Sequence, residues 1–128
     1  MNQDPIPLVV AFLRAQPDIP AEAVTGTFTD RTAGDTTVYV LHSGGRRMVR
    51  DRMDRVDIVY DVYGKDRSAA AYLAFRVRAR LLEDLPDSVV SGHVVLDVEE
   101  LDSPAWNPDQ QSDEPAFTGE VAIFFTAA

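Results

Sequence analysis

The sequence predicts an α+β fold: a single, mainly antiparallel β-sheet packed against two helices, in the order α-β-β-β-α-β-β. Three observations predict it. A short apolar run at helical spacing opens the chain, and an alternating strand runs through Gly64 into an Ala/Leu/Arg-rich helix. Two further alternating segments then close the chain. At 128 residues the length suits one compact core, so residues 1–128 are read as a single domain.

Asp4-Pro5 reads as a helix start, and Leu8, Val9, Phe12 and Leu13 recur at helical spacing until Gln16-Pro17. The β-favouring residues of Val24 to Thr29 and Thr36 to Leu41 flank breakers at Thr32 to Asp35, which predicts a hairpin. A second turn is expected at Ser43-Gly44-Gly45, before a strand within Met48 to Tyr63. There Val56, Ile58, Tyr60 and Val62 share one face, and Asp57, Val59, Asp61 and Tyr63 the other. After Gly64, Asp66 or Ser68 can cap a helix that runs to about Leu85, where Pro86 and Asp87 end it. Val94, Leu96 and Val98 alternate with His93, Val95, Asp97 and Glu99. In the last strand Phe117, Val121, Ile123 and Phe125 alternate with Thr118, Glu120, Ala122 and Phe124. Between these two, residues 102–114 form an expected long loop with two prolines, Trp106 and several acids.

The second helix carries two apolar faces. At 100° per residue, Ala70, Leu73, Ala74, Val77 and Leu81 gather on one side, and Tyr72, Phe75, Ala79 and Leu82 on nearly the opposite side. One face must cover the sheet, and the other requires helix one or a neighbouring subunit. Arg76, Arg80 and Glu83 fill a border between them, with Arg80 and Asp84 at i,i+4 spacing.

The net charge of −9 argues against general affinity for free nucleic acid, which is bound by clusters of Lys and Arg. In a domain lining a channel, the same charge would let DNA slide without sticking. The absence of Cys fits a reducing compartment, and the run Ile6 to Leu13 is too short to span a bilayer, so the chain reads as made in the cytoplasm without a membrane partner. Asp51, Asp54, Asp57 and Asp61 resemble a carboxylate cluster, yet Asp57 and Asp61 mark the outer face of a strand, and the spacing matches no calcium loop. His42 and His93 lie beside no nucleophile motif and read as strand-end residues. Ser43-Gly44-Gly45-Arg46-Arg47 reads as a basic hairpin turn or an anion-binding nest. Trp106 is either a lid on the core or an interface anchor. No catalytic, cofactor or metal residue is assigned, and the expected class is non-enzymatic.

The run from Arg50 to Leu85, including Arg55-Val56-Asp57-Ile58 and Ala79-Arg80-Leu81-Leu82, resembles the tail terminator family of long-tailed bacteriophages, also called minor tail or tail completion proteins. Ser103-Pro104-Ala105-Trp106 and Pro108-Asp109 before Pro115-Ala116-Phe117 add to this resemblance. The resemblance implies a virion protein at the head-proximal end of the tail. It would form a homo-hexameric ring that caps the tail tube protein, stops its polymerisation and offers a surface to the head-side connector or stopper. DNA would pass through the lumen without specific binding. On that reading Tyr72, Phe75, Arg76, Arg80, Leu82 and Trp106 belong to the subunit interface, and Gly44, Gly45, Arg46 and Arg47 dock the neighbouring ring. Two other readings are a head-tail stopper or joining protein, and a small acidic module that binds a partner through charge.

Overall fold

The computed structural model describes residues 4–28, 31–49 and 52–126. Helix α1 (Ile6–Arg14) begins where the Asp4 carboxylate accepts the Ile6 N–H and Pro5 restricts the backbone before the first turn. A 3₁₀ turn at Ala21–Ala23 leads to β1 (Val24–Thr25), followed by β2 (Thr37–Val49) and β3 (Met53–Tyr63). Helix α2 (Arg67–Ala79) is capped by Asp66, whose carboxylate accepts the Ala69 N–H at 2.8 Å. It widens into one π-helical turn over Arg80–Asp84, so helical structure ends next to Leu85, as predicted. The chain closes with β4 (Val89–Val90), β5 (His93–Trp106) and β6 (Ala116–Thr126).

The six strands lie in the order β1-β2-β3-β6-β5-β4. Strands β3 and β6 occupy the centre, paired along their whole length from Met53 opposite Thr126 to Tyr63 opposite Ala116. The predicted alternation in β3 holds: Val56, Ile58, Tyr60 and Val62 are buried, and they meet Val121, Ile123 and Phe125 from β6. Helix α2 contributes Ala70, Leu73, Ala74 and Val77 and the π-helical turn adds Leu81, all five from the inner stripe read in the sequence, and α1 adds Leu8, Val9, Phe12 and Leu13. All of these residues form one core on one face of the sheet.

Several expectations are corrected. The sheet is mixed, because β1 and β2 run parallel, with Val24 beside Val38 and Thr25 beside Tyr39. The predicted hairpin is therefore absent, although a turn does form at Thr32 to Asp35, where the Asp35 N–H reaches the Thr32 carbonyl. Side chains outcompete a ladder in this segment. Phe28 packs edge-on against Tyr39 and Tyr63, and Arg31 stacks on Phe28 and Tyr63 while pairing with Glu114 at 2.8 Å. Thr29 of the predicted first arm lies outside the described residues.

Ser43-Gly44-Gly45 is likewise no turn but the middle of β2, with a bulge between His42 and Gly44. Gly45 has φ 138°, and a Cβ there would overlap the Arg55 carbonyl of the adjacent strand, so close backbone approach rather than reversal explains this glycine. Chain reversal comes later, where the Arg52 N–H reaches the Val49 carbonyl, so Met48 and Val49 finish β2 and β3 starts at Met53. The order gains the short strand β4, joined to β5 by Ser91-Gly92, both with positive φ as a two-residue hairpin requires. The expected 102–114 loop shrinks because β5 extends to Trp106 through bulges between Val95 and Asp97 and between Glu100 and Ala105. The first of these bulges also breaks the predicted alternation, burying Val95 and Val98 and leaving Leu96 exposed.

Candidate functional site

The described residues contain no group of three or more His, Cys, Asp or Glu that could hold a metal ion. The apparent carboxylate cluster separates along β3. Asp57 is held by Arg55 at 2.8 Å, and Asp61 accepts the Thr118 hydroxyl at 2.6 Å. Asp54 stands at the far end of the strand, and Asp51 lies outside the described residues. His42 sits within β2 rather than at its end, with its Nε2 2.7 Å from the Gly44 carbonyl, whereas His93 starts β5 and packs edge-on against Phe125. No described helix is long and apolar enough to cross a membrane.

What the fold presents instead is surface for contact. On α2, Tyr72 is 64% exposed and Phe75 is 44% exposed, although both are large and apolar. They border a shallow hollow with Ser68, Ala71 and Arg76. Helix α1 does not cover this face, because it packs against β1, β2 and β4. The turn after α1 reaches across: Asp18 pairs with Arg76 at 3.2 Å and with Arg80 at 3.6 Å. Arg76 also bonds the Tyr72 hydroxyl and lies over its ring, and Arg80 also pairs with Asp84 at the spacing read in the sequence. Leu82 turns inward and packs against the core.

Trp106 does not line this hollow. Its ring lies edge-on to Phe117, and the Arg67 guanidinium sits 4.7 Å from its centroid at the start of α2. Gly44, Gly45, Arg46 and Arg47 also form a separate feature, one continuous stretch of β2 rather than a protruding loop. The six interface residues from the sequence reading are therefore divided between α2, the π-helical turn that follows it and the end of β5, and the four docking residues lie on β2.

A further pattern is set by register and was not visible in the sequence. Across the sheet face opposite the helices, Asp57, Ala122 and Glu99 form one row, and Val59, Glu120 and Asp102 form the next. Strand β5 carries Asp97, Glu99, Glu100 and Asp102 within a few residues. Glu100 is tied back to Arg78 at 2.9 Å, which keeps its carboxyl below the usual carboxylate range. The DVEELD stretch is the signal that could have revealed this face, but the bulges that sort its residues between faces are not legible without the pairing partner.

No family model and no curated protein matches the sequence. Among solved structures, the fold is similar to a chain of the virion of a native gene transfer agent particle. The two superpose with a TM-score of 0.70 at 16% identity, over 94% of this chain and 92% of that one. At that identity the match shows a shared fold over essentially the whole length of both chains.

Proposed function

We propose that this chain is a non-enzymatic structural protein of a phage-like virion, and within that class a tail terminator. The observation that carries the virion reading is the whole-length likeness to a chain of a virion particle. The finer role rests on the resemblance of the Arg50 to Leu85 run to tail terminators and on the exposed apolar surface that the monomer leaves uncovered.

The mechanism is geometric. Copies joined by heterologous contacts close into a six-membered ring at the head-proximal end of the tail tube, and a closed ring leaves no growing face for further tube subunits. The opposite face of the ring receives the head-side connector. Tyr72 and Phe75 supply apolar contact area, and the acidic sheet face supports passage of DNA without adhesion. Disruption of the gene in its source particle, followed by negative-stain electron microscopy, tests the role: abnormally long, headless tails are expected. Normal-length tails beside detached full heads would replace the terminator reading with that of a joining protein. Phe75→Glu is expected to leave the fold intact, since Phe75 is exposed, while impairing assembly. Unimpaired assembly would remove Phe75 from the contact.

A further inference from the structure

The two long outer strands each have an open edge. Among the described residues, β1 pairs only with Val38 and Tyr39 of β2, so β2 has no second neighbour from Val40 to Val49. On the other side of the sheet, β4 pairs with His93 and Val94, and the Val95 N–H and carbonyl are taken by Ser88 and Asp87, which leaves β5 open from Leu96 to Trp106 among the described residues. Exposed edges of this length are templates for pairing with another strand, and natural sheets seldom leave two of them bare.

The two edges are complementary. The stretch Val40 to Val49 contains His42, Arg46 and Arg47 and no acid, whereas Leu96 to Trp106 contains Asp97, Glu99, Glu100 and Asp102 and no base. Both edges also carry exposed apolar side chains, Met48 and Val49 on β2 and Leu96 and Leu101 on β5. The strand directions agree as well. Each neighbouring pair from β2 through β3 and β6 to β5 is antiparallel, so β2 and β5 run in opposite directions within one copy. Copies related by rotation about an axis along the strands would therefore bring β2 of one antiparallel to β5 of the next. The register within the sheet places Arg46 level with Asp97, and Leu41 level with Asp102. Pro104, which lacks an N–H, stops the run at the far end of β5.

We infer that a second copy of this chain docks edge to edge, with Leu41 to Arg47 of β2 pairing against Asp97 to Asp102 of β5 and the sheets joining into one closed barrel. This rests on the ring reading above and names its contact, with affinity from main-chain hydrogen bonds and register from charge. It also reassigns Arg46 and Arg47 from docking a neighbouring ring to joining subunits within one ring.

The absence of Cys makes the test direct. Two double variants, Met48→Cys/Leu96→Cys and Leu41→Cys/Leu101→Cys, are treated at high chain concentration with a short bifunctional maleimide. Within one copy the paired positions are three strand spacings apart, roughly 14 Å, so a linker shorter than that reports contact between copies. A ladder of linked oligomers ending in a closed ring is expected from both. The single variants should give no ladder, because a head-to-tail contact never brings an edge against itself. Adding Arg46→Glu/Arg47→Glu should lower the linked fraction at least fivefold, and adding Asp97→Arg/Glu99→Arg, the acids level with and diagonal to Arg46, to that background should restore it, with thermal unfolding confirming that each variant folds. The inference is overturned if neither pair links above the single-thiol controls, if a single thiol links to itself, or if the restored-charge variant stays monomeric. A failed terminator reading appears elsewhere, as normal tail lengths after gene disruption, and leaves the cross-linking pattern unchanged.

Discussion

The central strands β3 and β6 and the outer strands β2 and β5 belong to one sheet but use their side chains differently. In the centre every other residue is sealed into the core, and Ile58, Tyr60, Val62, Val121 and Ile123 are at most 0% exposed. Along the outer strands the core-facing pattern breaks at bulges, polar residues gather with one sign of charge per strand, and large apolar side chains remain in water. The difference teaches that the centre sets whether the chain folds and the edges set what it joins. A substitution in one region should change stability, and in the other association.

The largest expected effect lies at the centre. Ile58→Ala removes a fully buried side chain between β6 and the helices and should cost roughly 3 kcal/mol in chemical denaturation. A loss below about 1 kcal/mol would show that the centre tolerates collapse and would blunt the contrast. Next is Gly119→Ala. Gly119 lies directly opposite Tyr60, whose ring covers it, and a Cβ would overlap the ring, so a loss of about 1–3 kcal/mol is expected. Double replacement with Tyr60→Leu should recover part of it, which would locate the cost in that pair.

Asp61, on the outer face of β3, gives a smaller effect with a sign fixed by pH. Burial pushes its carboxyl above the usual carboxylate value, against the opposing hydrogen bond from Thr118. The folded chain therefore holds this proton to higher pH than the unfolded chain. Its contribution to stability falls as pH rises from the unfolded to the raised folded value, and the charged group opposes folding at neutral pH. Asp61→Asn keeps an acceptor for the Thr118 hydroxyl and removes the charge. Its unfolding midpoint should exceed that of the parent at pH 7, with the advantage fading as acid protonates Asp61. A constant difference across that range would contradict the assignment. The smallest expected change is at an edge: Leu101→Ser should alter monomer stability by no more than about 0.5 kcal/mol, since Leu101 is 38% exposed. A larger loss would mean that the β5 edge helps hold the fold, and the contrast between centre and edge would fail.

How much was legible in the sequence follows the same division. The stretch Asp54 to Tyr63 alternates without interruption, so its faces were readable, and Asp66 could be read as a cap because an N-terminal cap is a local interaction. Gly44-Gly45 misled because a glycine pair serves equally a turn and a strand that must pass close to its neighbour, and the sequence does not show the neighbour. Val24 to Thr29 misled because β propensity cannot foresee Arg31 and Glu114 meeting across more than eighty positions of chain. Of the candidate contact residues, the placing of Tyr72 and Phe75 away from the sheet was inferable from helical spacing, whereas the failure of helix one to cover them, the inward turn of Leu82 and the packing of Trp106 against Arg67 and Phe117 were not.

By itself, then, the sequence determined the class of fold, the two faces of β3, the inner stripe and cap of α2, and the acidic character of the chain. Each follows from periodicity, local hydrogen bonding or composition, which act over a few residues or over none in particular. Tertiary structure alone decided the parallel β1–β2 pair, the bulges in β2 and β5, and the placing of the basic stretch on one open edge and the acidic stretch on the other. Those features depend on which strands become neighbours and in what register, and register is fixed only when distant segments compete for the same hydrogen bonds and the same core.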